Sequence, residues 1–100
     1  MASRTLKIHA EALLEAESSL TWYRTRSLRA ADSFLNTVEQ AIDTILESPN
    51  RWPKDRDGFR QYQLRSFPFV LFYRDTPSAV EIIAVAHASR NPGYWKSRLP

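Results

Sequence analysis

Between Phe67 and Tyr94 the chain reads FPFVLFYRDTPSAVEIIAVAHASRNPGY, and no other stretch narrows the possible folds as far. It holds two apolar runs, Phe67 to Tyr73 (broken only by Pro68) and Val80 to Ala86, joined by Asp75-Thr76-Pro77-Ser78. β-Branched and aromatic residues recur in both runs, which favours strands, and the short connection predicts a hairpin. At a two-residue period Phe69, Leu71 and Tyr73 face one way and Val70 and Phe72 the other. In the second run Val80, Ile82, Ala84 and Ala86 oppose Ile83 and Val85. Strands without a polar face belong to a sheet covered on most of both sides. Polar groups gather instead at the ends of the runs: Arg74, then His87, Ser89, Arg90, Asn91 and Tyr94.

What precedes this hairpin must supply the cover. RTLKI, Arg4 to Ile8, alternates like a half-exposed strand near a sheet edge. Leu13, Ala16, Leu20 and Tyr23 then recur at helical spacing, with Glu11, Glu15, Glu17 and Arg24 on other faces and Trp22 extending the apolar side. Arg24 to Ser27 breaks the pattern. Ser27 suits the cap of a second helix, Leu28 to Leu46, with the stripe Ala31, Phe34, Leu35, Val38, Ala41, Ile42 and Ile45. So short a link makes the two helices antiparallel, and Glu47-Ser48-Pro49 ends the second. Pro49 to Phe59 is a loop, Arg60 to Arg65 a further alternating strand, and Asn91 to Arg98 a short helix or extended tail.

The expected architecture is α+β, a single domain over residues 1–100: an N-terminal strand, a helical hairpin packed on one sheet face, and a three-stranded antiparallel meander that completes the sheet. Such a two-layer sandwich leaves Val70, Phe72, Ile83 and Val85 on the second face. Either a protein partner or the tail, through Tyr94, Trp95 and Leu99, covers them. Composition trims the functional possibilities. With no cysteine there is no disulfide or thiol chemistry, and with two glycines no glycine-rich phosphate loop. Two distant histidines give no metal signature, so neither metal nor cofactor is expected. No run is long and apolar enough to span a bilayer, and the expected location is the cytoplasm. Net charge is +3, but residues 51–100 carry nine Lys/Arg against four Asp/Glu, whereas residues 1–50 carry five against seven. A basic half that also carries the sheet suits an anionic partner, nucleic acid or an acidic protein segment.

The helical hairpin, the Pro-x-x-Trp-Pro loop at 49–53, FPFVLFYR at 67–74 and VEIIAVAHASRNPGYW at 80–95 together resemble the RelE/ParE superfamily of toxins from bacterial toxin–antitoxin modules, nearly end to end. The resemblance implies a small toxin neutralised by a cognate antitoxin from an adjacent gene, in a hetero-oligomer whose antitoxin segment covers the sheet. It also implies one of two targets: DNA gyrase for ParE-like members, or messenger RNA on the ribosome for RelE-like members. The latter would make the protein a metal-independent endoribonuclease. A non-toxic protein-binding module is the third possibility.

For RNA cleavage the resemblance points to His87 as acid or base, Arg65 and Arg90 as phosphate clamps, and Tyr94 as a base-stacking surface. The loop lacks closely spaced lysines, and His87 has no obvious glutamate unless Glu81 or Glu47 folds back, so gyrase or another replication factor is the favoured target. Contacts to either target are expected from Lys54, Arg60, Arg65, Arg74, Arg90, Lys96 and Arg98. Contacts to the antitoxin are expected from Val70, Phe72, Ile83, Val85, Arg74 and Trp95. In the purely structural reading His87 closes a strand, Tyr94 and Trp95 anchor the tail, and Arg65 and Arg74 pair with Asp57 or Asp75.

Overall fold

In a computed structural model, which describes residues 5–99, the apolar patterns resolve into β1 (Thr5–Ile8), α1 (Ala10–Arg24), α2 (Leu28–Glu47), β2 (Arg60–Gln63), β3 (Phe69–Asp75), β4 (Ala79–His87) and a 3-10 helix, Tyr94–Arg98. Arg4, read as the start of the first strand, lies outside the described residues, as do the outermost positions of the expected domain. The sheet runs β1-β4-β3-β2. β2, β3 and β4 form the antiparallel meander, and β1 adds in parallel to β4, Thr5 opposite Ala79 through Ile8 opposite Ile82. The helical hairpin covers one face, so the α+β two-layer architecture is as expected.

Local chemistry accounts for the boundaries. His9 Nδ1 accepts the Glu11 N–H at the start of α1, and Ser27 Oγ accepts the Ala30 N–H at the start of α2. β3 begins at Phe69, two residues later than the apolar run suggests, because Pro68 has no N–H and Ser66 turns the chain at φ +64°. α2 buries Ala31, Phe34, Val38, Ala41 and Ile45, but Leu35 stays 40% exposed. α1 sets Ala16, Leu20 and Tyr23 of its expected stripe against the core, but its first turn differs: Ala12 is fully buried and Leu13 is 46% exposed. The His9 N–H donates to Ile82 O at 2.9 Å, which ties the head of α1 to β4.

Two corrections concern the second face. The β3–β4 register shifts between Phe72 and Tyr73: Phe72 opposes Ala84, yet Tyr73 opposes Ile82, leaving Ile83 as an extra residue. This bulge reverses the alternation. Val80, Ile82 and Val85 all pack with the helices, while Ile83 and Ala84 both join the opposite cluster. Val85 is therefore not on the face assigned to it. That face is not open either. Trp95 stacks on Phe72 at 4.6 Å between ring centroids and meets Phe59 edge-on at 4.7 Å. Ile83 and Trp95 are 1% and 2% exposed, so only half-buried Val70 and Phe72 remain of the apolar strip expected to bind an antitoxin.

Candidate functional site

β4 is nine residues long and β1 only four, so the edge of β4 beyond Ile82 has no neighbouring strand. Side chains take over the role of a ladder there. Glu15, from α1, accepts the Val85 N–H at 3.0 Å. Arg98, from the 3-10 helix, donates to Ile83 O at 3.0 Å and to both Glu15 oxygens at 2.9 and 2.8 Å. Its Nε lies 2.9 Å from Glu11 Oε2, and the Tyr94 hydroxyl donates to Glu15 Oε2. Burial pushes the Glu15 carboxyl up, but hydrogen bonds from Arg98, Tyr94 and Val85 outweigh it and hold it below the ordinary carboxylate value. Burial and the neighbouring carboxylate push the Tyr94 phenol up to about 12, and Glu15 raises Arg98 in turn.

Beside this knot the end of β4 presents His87. The Ser89 N–H donates to His87 Nδ1 at 3.0 Å, with Ser89 Oγ 2.7 Å from the same nitrogen, and the ring stands against Phe69 at 5.1 Å. Because Nδ1 accepts a backbone N–H, the neutral ring carries its proton on Nε2. The exposed nitrogen is thus a donor. Arg90 lays its guanidinium over the Tyr94 ring at 3.8 Å. Glu15, His87, Arg90 and Tyr94, with Leu14 and Ser18, line a cavity of about 300 Å³ between α1 and the end of β4. A second concavity shares Ser18, Ser19, Phe69 and His87 with it and runs on to Trp22 and Pro68. Trp22 is half exposed there, with the Arg26 guanidinium 3.8 Å above its ring.

The structure therefore gathers His87, Arg90 and Tyr94 but not Arg65, which lines a separate concavity on the β2 side with Arg51. Nor does Glu81 or Glu47 reach His87. Glu81 pairs with Arg74 at 2.7 Å, whereas Glu15, from the helix face expected to meet water, enters the site. Two glutamates one turn apart, facing a chain whose excess of arginine lies far downstream, were the available signal. Several expected contact residues are engaged internally. Arg60 is 8% exposed, 2.7 Å from Asp75, and also donates to the carbonyls of Asn50 and Trp52. Arg98 is held as described, Arg74 pairs with Glu81 rather than Asp75, and it is Lys96 that takes Asp57, at 2.6 Å. Lys54, Arg65 and Arg90 are exposed. Among the described residues no helix is long and apolar enough to cross a membrane.

Comparison with known proteins agrees with this fold. The family profile described as "ParE toxin of type II toxin-antitoxin system, parDE" matches residues 6–92. Two relatives called Toxin ParE2, from Mycobacterium tuberculosis strains CDC 1551 / Oshkosh and ATCC 25618 / H37Rv, are each 26% identical over 98 residues, 97% of this chain and 93% of theirs. Among solved structures, a chain of a chromosomal ParDE TA system from P. aeruginosa superposes with a TM-score of 0.75 at 15% identity, covering 87% of this chain and 98% of its own. That last likeness is one of fold.

Proposed function

Because the chain belongs to the ParE toxins of type II toxin–antitoxin systems, we propose that it arrests growth by blocking DNA gyrase in the cytoplasm and is neutralised by a cognate antitoxin. The observation that favours gyrase over messenger cleavage is the state of the His87 ring. A nuclease of this size needs a proton acceptor at the 2′-hydroxyl. With Nδ1 occupied by the Ser89 N–H, the solvent-facing Nε2 offers a proton instead. The Tyr94 hydroxyl is committed to Glu15, and Arg65 stands apart from the other members of the expected set. What remains at the rim, His87 as a donor and Arg90 as a cation, suits an acidic protein surface.

The test runs two assays on one purified toxin and its His87→Ala variant: inhibition of gyrase supercoiling, and ribosome-dependent cleavage of messenger RNA. Supercoiling inhibition is expected, weakened in the variant by no more than a surface contact, about 1 kcal/mol. Codon-positioned cuts that fall roughly 10²–10⁴-fold in the variant, with supercoiling untouched, overturn the gyrase reading in favour of the nuclease. The antitoxin reading is checked separately. Co-expression with the small acidic protein encoded by an adjacent reading frame relieves arrest and yields a complex; persistent arrest and no complex refute it.

A further inference from the structure

The concavity that runs from His87 to Trp22 has a volume of about 490 Å³ and an aromatic floor. Its Tyr23 and Phe69 belong to one cluster of rings with Phe34 and Phe67, whose centroids lie 5.1 to 6.5 Å apart, and Phe34 and Phe69 are buried. Core packing therefore sets this floor before anything enters it. At one end the His87 ring stands perpendicular to Phe69, and the Ser89 N–H on Nδ1 fixes the other ring nitrogen as a donor. The cleft that shares His87 and Phe69 with it brings in Arg90, which has no acidic partner among the described residues. Among those residues the one carboxylate lining either cleft is Glu15, and its oxygens already receive Val85, Arg98 and Tyr94. An apolar floor thus meets a donor and a cation with no free anion beside them.

From this arrangement we infer that the two joined clefts form a binding site for a small planar aromatic carboxylic acid. Its ring system lies on the floor between Trp22 and Phe69, and its carboxylate accepts a hydrogen bond from His87 Nε2 and meets the Arg90 guanidinium. Other small molecules fit less well. An aromatic amine sets a cation against Arg90 and a donor against a donor, and an aliphatic acid forgoes the ring contacts. A nucleoside monophosphate places a dianion on a single guanidinium already laid on Tyr94, while the Trp22 ring, the surface on which a base would stack, carries the Arg26 guanidinium 3.8 Å above it. A bound acid covers His87 and Arg90 and so competes with any protein that docks at that rim. That consequence, unlike the binding, rests on the gyrase reading.

The test follows chemical shifts of the isotopically labelled protein during titration with four probes: naphthalene-2-carboxylate, the corresponding naphthylmethylamine, cyclohexanecarboxylate and adenosine monophosphate. The aromatic acid is expected to move the Trp22 indole, the His87 ring and the Ser89 amide together, with a dissociation constant on the order of 1 mM or tighter. It should bind roughly tenfold or more tightly than the amine or the cyclohexyl acid. Arg90→Gln should narrow the preference for acid over amine to roughly threefold or less. Ser18 is exposed on α1 and lines both clefts, so Ser18→Trp fills the site without removing any of its groups. That variant should abolish binding, with the remaining amide spectrum showing an intact fold. Equal binding of acid and amine or of the two acids, shifts centred on another surface, unaltered binding in Ser18→Trp, or a response to adenosine monophosphate alone overturns the inference. So does silence up to roughly 10 mM acid. The spectra need no gyrase: a blank titration leaves the gyrase reading standing, and a failed supercoiling assay leaves the site standing.

Discussion

The backbone N–H of Val85 donates to the carboxylate of Glu15, seventy positions upstream, at 3.0 Å. One acidic side chain of a helix thus completes the hydrogen bonding of a strand that its shorter neighbour leaves bare. The same carboxylate receives Arg98 and Tyr94, so α1, β4 and the 3-10 helix meet at a single group.

Removing that group strands three donors at once, the Val85 N–H, Arg98 and the Tyr94 hydroxyl. Glu15→Ala is expected to destabilise the fold by about 2–4 kcal/mol in chemical denaturation, since Arg98 keeps its charge at 10% side-chain exposure with only the half-exposed Glu11 left to face it. A loss below 0.5 kcal/mol, to within about the scatter of surface substitutions, would mean that the knot is ornamental.

Acid should find the same weakness. Glu15 has a depressed folded value, so its contribution is fully present above the unfolded carboxylate value, about 4.3, and is lost as pH falls through the folded value. Glu15→Gln should flatten the stability profile in that acid range, measured as thermal midpoint against pH. At the alkaline end the sign reverses: Tyr94, raised to about 12, favours the fold below the unfolded phenol value near 10, and that support fades as pH approaches 12. Phenolate absorbance of wild type and Tyr94→Phe should differ by one group titrating late; identical curves would contradict it.

Trp95 separates volume from polarity. Trp95→Ala uncovers Phe72 and Ile83 and is expected to cost about 3–5 kcal/mol and to bring binding of an apolar dye. Trp95→Phe removes an indole N–H that is buried without an acceptor, so it should cost under about 1.5 kcal/mol. Equal losses for the two would place the energy in the N–H and not in the stacking.

Ser66 holds φ at +64°, a conformation that disfavours side chains bearing a Cβ. Ser66→Gly is expected to stabilise by up to about 1 kcal/mol, offset in part by the freer unfolded chain, while Ser66→Val destabilises. Paired melts decide the sign.

Much of this fold is written in patterns of short range. FVLFY and VEIIAVA announced the central hairpin, and the period of α2 from Ala31 to Ile45 survived with one residue, Leu35, displaced outward. The errors arose where long-range geometry overrules period. A single extra residue at Ile83 moves Val85 to the other face, and no local signal marks a bulge inside an unbroken apolar run. α1 took Ala12 inward because its first turn is tied to β4, which a helical wheel cannot register. At the candidate site His87, Arg90 and Tyr94 were recognisable by residue type. Glu15 was not, because a glutamate on a short helix reads as solvated until its arginine partner, eighty-three positions away, is in place.

The parallel pairing of β1 with β4 also has a consequence in time. Thr5 meets Ala79, so the strand made earliest waits for nearly the whole chain before it has a partner. Loop closure over such a separation must precede any gain from the contact, which puts folding among the slow, non-local cases. The meander and the helical hairpin, each built from neighbouring segments, can form first. For that interval the β1-side edge of β4, from Ala79 to Ile82, is bare, and any extended segment nearby competes with β1 for the same backbone groups. A folding chain is then open to capture at an edge that the finished protein has closed.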